Sequence, residues 1–367
     1  MAQGAGRRVI WVGLTDHQNG RFAPSGLDGA NTHNTLGKRM ERGTLMFETS
    51  VAGHVRPHDL FGVTNHFPWA RELVFRAIPG GGVAMVHRYN DDILHAAIRW
   101  HDDGRAHTLR VTYAWDTSTG WARLALEQPE RTRVTTNTVH APRPQLSADA
   151  RDLMLGNGAR TLSKEVLFGA LSPDIAPIGP MPTLHPKTPI ATPTGYRAAS
   201  DLQRGDTIVT MNGDIVPVLH SVKHTVPARG SFAPVRLHAP YFGLARDIIV
   251  APEQRLVLKG SDVEYIFGHE AVLVPARHLV NGHAATWAPE RSTVEYVQVV
   301  LPGHEPLVAA GCALESLYIG RIRRNAARLD ASVLADIPSR LLPEHARPIH
   351  QVLRQFEAIT LVDQRAA

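Results

Sequence analysis

The chain has 367 residues, of which 43% are hydrophobic and 20% charged, so a disordered chain is excluded and the length suits two domains. The formal net charge is +5, and all but five of the 39 basic residues are arginine. They form no long basic run, so the excess is an arginine-rich surface and no nucleic-acid partner is expected. One cysteine, Cys312, excludes an internal disulfide, a cysteine-based zinc site and an Fe–S cluster within one chain.

The apolar run Val9 to Leu14 is too short for a signal-peptide core or a membrane span. A soluble protein is expected, exported only by a route without an ordinary N-terminal signal. After an irregular leader of about 40 residues, short strands are predicted at Thr44–Val51, Glu72–Ile78, Gly82–Tyr89, Leu94–Trp100, His107–Trp115 and Gly120–Glu127. Turn residues separate them: Pro79 to Gly82, Asn90 to Asp92, Asp102 to Gly104 and Asp116 to Gly120. This rhythm predicts an all-β sandwich or barrel over residues 1–170. Pro173, Pro177, Pro180, Pro182 and Pro186 then mark 171–187 as an extended linker. A second β-rich domain is expected over 188–320, and a C-terminal extension of short helices over 321–367 with Leu329, Val333 and Leu334 on one helical face. Between the apolar runs Ile248–Val250 and Leu256–Leu258, the tetrapeptide Ala251-Pro252-Glu253-Gln254 is predicted as a tight turn joining two strands.

The block "TPIATPTGYRAASDLQRGDTIVTMNGDIV" (188–216) carries Gly195, Asp201-Leu202 and Gly205-Asp206, and it closes a hairpin with Asn212-Gly213, a type I′ signal. With "VLVPARHLVNG" (272–282) and "LPGHEPLVAAGCALESLYIG" (301–320) in the same order, it resembles the bacterial branch of the Hint superfamily, the hedgehog/intein autoprocessing modules. The resemblance implies an all-β Hint-like domain. It also implies a self-cleavage reaction in which a first-position Cys, Ser or Thr attacks the preceding carbonyl and a Thr-x-x-His motif polarises that bond. Counting back from Ile190 places the nucleophile position at Thr183. The Thr-x-x-His place is held by Ala251 and Gln254, and a third position where the family tends to carry His is Gln298. The implied reading is a degenerate, non-enzymatic Hint scaffold. Self-cleavage at Pro182–Thr183 with Thr183 as nucleophile is the alternative. His278, His304 and Glu315 are either remnants of the site or hydrogen-bonded structural residues.

The segment His107–Glu127 resembles a strand–turn–strand of laminin-G/concanavalin-like sandwiches, which implies a lectin-like domain and a polysaccharide or cell-surface glycan as partner. Candidate sugar contacts are His87, Tyr89, Asn90, Asp91 and Asp92 in one turn, and Trp115, Asp116 and Trp121 in another. The competing reading makes the tryptophans packing residues and the Asn-Asp-Asp run a plain turn. Asn90, Asp91 and Asp92 also offer hard oxygen ligands for Ca²⁺; otherwise no cofactor is expected. Glu127 and Glu130 are expected to be solvated, and no carboxylate pair suits glycoside hydrolysis. The 20 histidines form no His-Glu-x-x-His motif, and Gly80 to Gly82 lies between strands, which makes it a hairpin and not a phosphate cradle. The whole is expected to be a glycan-binding or structural protein, with other subunits of an extracellular or virus-like particle as partners. The remaining alternative is a protein–protein interaction module that binds no glycan.

Overall fold

A computed structural model describes residues 9–29, 37–51, 56–100, 107–131 and 133–366, so the predicted Asp102 to Gly104 turn lies outside the described residues. The chain forms two compact units. One comprises Val9–Gly179 with Arg291–Thr293, and the other Pro180–Glu290 with the residues from Val294 onward.

The first unit is a β-sandwich. Its larger sheet has the order Arg133–His140, Trp121–Gln128, His107–Asp116, Arg42–Val51, Val166–Ser172, Gly13–Thr15, Gly20–Phe22. Its smaller sheet runs Arg160–Leu162, His58–Asn65, Arg71–Ala77, Val83–Tyr89, Asp92–Ile98. All six predicted strands are present. The alternation within them explains the packing, since Leu45 and Phe47, Phe61, Phe75, Val111, Tyr113 and Trp115 are all buried in one core. Phe47 stands 5.4 Å from Phe61 and 5.1 Å from Phe75, ring to ring. Each such ring removed from water stabilises the fold by roughly 1.5–3 kcal/mol. Strands Gly13–Thr15, Gly20–Phe22, His58–Asn65, Arg133–His140, Arg160–Leu162 and Val166–Ser172 complete the sheets. A helix, Ser147–Leu155, buries Ala150, Leu153 and Met154 in the same core.

The division between the two units falls between Gly179 and Pro180, inside the 171–187 stretch expected as a linker. Leu171 and Ser172 finish a strand, Leu184 bridges both Val250 and Val297, and the residues from Pro180 belong to the second unit. Proline removes a donor only where it stands, so the residues between prolines still pair.

The second unit is also mainly β. Its largest sheet has the order Gly195–Ala198, Pro189–Thr192, Pro306–Ala309, Cys312–Glu315, Arg255–Lys259, Ala271–Pro275, Gln351–Val352, the last pair parallel. A three-stranded sheet holds Ile248–Val250, Val235–Leu237 and Ala285–Trp287. The core contains Leu184, Ile190, Leu202, Val250, Leu256, Val274 and Leu314.

Three local expectations change. Ile248–Val250 and Arg255–Lys259 are not a hairpin, because they lie in different sheets. The tetrapeptide between them is a corner, with the Gln254 N–H donating to the Ala251 carbonyl at 3.0 Å. Pro252 takes the second place of that turn and neither central residue has positive φ, so no glycine is needed. The turn at Asn212-Gly213 is not type I′ either. Only Gly213 has positive φ, at 86°, and its N–H donates to the Thr210 carbonyl, so a turn with negative φ at Met211 and Asn212 precedes a left-handed glycine. In the C-terminal region the helix stops at Asp330, so Val333 and Leu334 are in turns; Leu329 and Leu334 still share a small core with Leu342.

Candidate functional site

The corner and two strands bring the three positions picked out by the Hint resemblance into contact. The segment before Thr188 is drawn in by backbone pairing. Ala251 N–H donates to the Thr183 carbonyl at 2.7 Å, while Leu184 exchanges bonds with Val297 at 3.1 and 2.8 Å. This sets Thr183 beside the corner on one side and beside Gln298 on the other.

The side chains close a triangle. Thr183 Oγ1 donates to Gln254 Oε1 at 2.6 Å. Gln298 Nε2 lies 3.1 Å from Thr183 Oγ1, 3.1 Å from Gln254 Oε1 and 3.1 Å from the Glu315 carbonyl. Gln254 Nε2 donates to the Arg255 carbonyl at 2.9 Å and lies 3.2 Å from the Glu315 carbonyl. Gln254 and Gln298 are buried and Thr183 is half-buried. The bond preceding Thr183 belongs to Pro182, itself buried.

Behind the triangle lies a charged layer. Arg255 Nη1 donates to Glu315 Oε1 at 2.9 Å, and His304 Nε2 lies 3.1 Å from the same oxygen. His304 Nδ1 accepts from the Ile349 N–H, so the His304 proton faces Glu315. His304 also stands edge-on to Tyr318 and 5.6 Å from His345. His345 is fixed as the other end of this layer, accepting from Ile319 N–H at Nδ1 and donating from Nε2 to the Leu301 carbonyl. His304 and Glu315 therefore belong together, one layer from Thr183. His278 stands apart on the turn Ala276–Leu279, where burial and the Arg277 charge hold its ionisation down at about 4. Arg277 itself pairs with Glu253 in the corner.

Chemically, the groups touching Thr183 Oγ1 are two carboxamides. Neither takes up nor gives up a proton near neutral pH, so neither performs the general acid–base step that a His performs at such a site.

In the sandwich, the candidate sugar contacts fall into two sets on different sheets. Trp115 is completely buried, donates its indole N–H to the Met40 carbonyl at 3.0 Å and stacks on Tyr113, so it is a core residue and presents no face to a ligand. Trp121 pairs with Asp116, while Trp115 pairs with Ala122, which puts the two tryptophans on opposite faces of the sheet. Trp121 is half-buried under the Arg123 guanidinium, 5.6 Å away. Asp116 holds its own turn through Ser118. His87 is also withdrawn, being 2% exposed, 3.4 Å from the Tyr113 hydroxyl and held neutral by burial down to about pH 4. Asn90 and Asp91 are exposed, and Asp92 turns onto Arg143 at 3.3 Å. The three turn residues therefore do not pool their oxygens, and among the described residues no group of three or more His, Cys, Asp or Glu could hold a metal ion. Glu127 is not solvated: it is buried, accepts from the Gly179 N–H at 2.9 Å, and burial pushes its pKa above the usual carboxylate range, while Glu130 is exposed.

Tyr89 keeps an accessible position, and the structure supplies partners that sequence reasoning missed. Trp69 stands 5.9 Å from Tyr89, Arg39 lies over the Tyr89 ring and Arg71 over the Trp69 ring. Beneath them a small pocket is lined by Arg71, His87, Tyr89, Gln145 and Asp149. Arg71 grips Asp149 with two donors at 2.7 and 3.1 Å and gives a third to the Phe67 and Trp69 carbonyls. The signal in the sequence was "HFPWAR" (66–71), where Phe67 remains 86% exposed beside Trp69.

No curated protein is significantly similar to the chain. Among solved structures, the Ruminococcus gnavus IT-sialidase CBM40 bound to alpha2,6 sialyllactose is 17% identical, covering 45% of this chain and 90% of that one with a TM-score of 0.27. The MchDnaB-1 intein is 17% identical, covering 36% of this chain and 98% of that one with a TM-score of 0.24. The LG1-3 region of the laminin alpha2 chain is 8% identical over 84% of this chain and 64% of that one, with a TM-score of 0.27. Residues 182–321, which hold Thr183, Gln254, Gln298 and Glu315, match the family model of the Hint domain.

Proposed function

We propose that the protein is a Hint-domain protein that does not cut itself, and that its Hint fold serves as a scaffold in a chain that also carries a binding sandwich. The observation that carries this reading is the environment of Thr183 Oγ1. It is bonded to Gln254 Oε1 at 2.6 Å and lies 3.1 Å from Gln298 Nε2, with no acid or base in the triangle. A hydroxyl needs an adjacent general base to become an effective nucleophile. Here it donates to a carboxamide oxygen and so has nowhere to send its proton.

The test is intact mass of the full chain after prolonged incubation, with and without hydroxylamine or dithiothreitol. Only the 40.2 kDa species is expected. A fragment beginning at Thr183 would mean that the hydroxyl is activated after all.

For the sandwich, the same proposal makes Tyr89 and Trp69 a stacking platform for a carbohydrate, with Arg39 and Asn90 as polar neighbours. Two aromatic faces beside exposed polar groups are what support it. On a glycan array, Tyr89→Ala and Trp69→Ala are each expected to abolish retention while Trp121→Ala is not. Loss on Trp121→Ala alone would move the site to the other sheet, and no retention of any glycan by the parent chain would leave a protein-binding or purely structural sandwich.

A further inference from the structure

Outside the Thr183 triangle, the Hint unit carries a second hydroxyl, and this one does have a base. The three-stranded sheet pairs Arg236 with Thr286 and Leu237 with Ala285 on one side, and Leu237 with Ile248 and Arg236 with Ile249 on the other. The ladder continues by one bond, His238 N–H to the Ala284 carbonyl at 2.9 Å. Side chains alternate along a strand, so Val235, Leu237, Ile248, Val250 and Ala285 go into the core, where all five are buried. The opposite face receives His238, Asp247 and Thr286, three neighbours across three strands.

They form one hydrogen-bonded line. His238 Nδ1 lies 3.1 Å from Asp247 Oδ2, and His238 Nε2 lies 2.9 Å from Thr286 Oγ1. The second Asp247 oxygen accepts from the Ala239 N–H at 2.9 Å, which fixes the carboxylate's direction. That bond, followed by the one to His238, holds the Asp247 carboxyl below the ordinary carboxylate range. An ionised carboxylate only accepts, so the His238 proton sits on Nδ1 and the Nε2 lone pair faces the Thr286 hydroxyl. Thr286 and His238 are each partly exposed. Arg236, directly across from Thr286, is a cation on the same face; its Nη2 lies 3.1 Å from the exposed Glu290.

We propose that Asp247, His238 and Thr286 are an acyl-transfer site, in which Thr286 Oγ1 attacks the carbonyl carbon of an ester and His238 is the base. As the Oγ1–carbon bond forms, the hydroxyl proton moves to His238 Nε2. When the tetrahedral intermediate collapses, the bond from carbon to the leaving alkoxide breaks and that oxygen takes the proton from Nε2. A water, deprotonated in turn by Nε2, then attacks the acyl-Thr286, the acid leaves, and the proton returns to Oγ1. Asp247 is a positioning residue that keeps the tautomer, and Arg236 faces the developing oxyanion. The site is independent of whether Thr183 reacts.

The experiment treats the full chain with a fluorophosphonate probe and, separately, with p-nitrophenyl acetate, and maps the adduct by tandem mass spectrometry. A phosphonyl or acetyl group is expected on Thr286. Thr286→Ala removes it, Thr286→Ser retains it, and His238→Gln slows its formation by about 10²-fold or more. Asp247→Asn is expected to remove the downfield Nδ1–H proton resonance of His238 while circular dichroism stays native. An adduct confined to histidines or to other hydroxyls, or one on Thr286 that forms at the parent rate in His238→Gln, overturns the proposal. Absence of any adduct on both the parent and Thr286→Ser overturns it as well.

Discussion

If the Hint chemistry was lost at position 254 and the geometry kept, putting a base back at that position should recover part of the chemistry. The perturbation is Thr183→Cys combined with Gln254→His, compared with Thr183→Cys alone. Gln254 Oε1 is 2.6 Å from the hydroxyl it would replace as partner, so an imidazole on the same corner falls within hydrogen-bond reach of the new thiol. A free thiol titrates near 8.5, so roughly a tenth is thiolate at pH 7.5 even without help. The imidazole adds a general acid–base step worth about 10²–10⁴-fold, or about 3–5 kcal/mol of barrier. Against this, Gln254→His gives up the donations to the Arg255 and Glu315 carbonyls, at about 1–3 kcal/mol of stability. That is a tolerable loss for a domain stable by about 5–15 kcal/mol. The assay is electrophoresis and intact mass over a day with dithiothreitol, which intercepts a thioester at residue 182. The double variant should release the fragment beginning at residue 183 at least about a hundredfold faster than the single one. Equal rates would show that residue 254 is not where the chemistry was lost. No cleavage in the double variant, even after adding Ala251→Thr, would show that the cleavage geometry itself is gone.

Other consequences are open to test. Arg71→Met strips the buried Asp149 carboxylate of its two guanidinium donors and leaves only Asn65, so the sandwich should lose about 3–5 kcal/mol in urea unfolding; the pair Arg71→Met/Asp149→Leu should recover much of it. His87 stays neutral in the fold down to about 4 but takes a proton near 6.5 when unfolded, so the unfolded chain binds more protons in that window and stability must fall with pH from 6.5 to 4. The fall attributable to His87 is roughly 3 kcal/mol and should disappear in His87→Gln, read from urea midpoints at each pH. Burial pushes the Cys312 thiol up to about 12, so an iodoacetamide reaction at pH 8 should proceed only as fast as the protein unfolds, and prompt labelling of the native chain would contradict its burial.

The strands of the sandwich were legible because alternating runs such as His107–Asp116 have one dominant pattern. Arg133–His140 is not legible: Thr135, Thr136 and Thr138 give both faces a polar character, and it is an edge strand that buries only Val139 in the core. Within 171–187 the proline series describes the backbone at each proline and says nothing of a single apolar residue between them, such as Leu184, that docks on two strands. Thr183, Gln254 and Gln298, the positions to which the resemblance points through motifs ordered along the chain, stand in contact. The sugar candidates fared worse for a physical reason: Trp115 and Trp121 are close in sequence, yet an antiparallel register sends them to opposite faces. Asp247, His238 and Thr286 carry no spacing signature in the sequence; the register of three short strands sets them side by side.

The carboxamide triangle has one more consequence. Thr183, Gln254 and Gln298 hold together without a titratable group among them, so protonation has nothing to act on there over the whole range in which the protein is folded. The layer behind lacks that immunity at His345, whose ionisation burial holds below the usual imidazole range. Once His345 takes up a proton its Nδ1 can no longer accept from the Ile319 N–H, so acid should loosen the segment around Ile319 before it disturbs the peptide joint at Thr183.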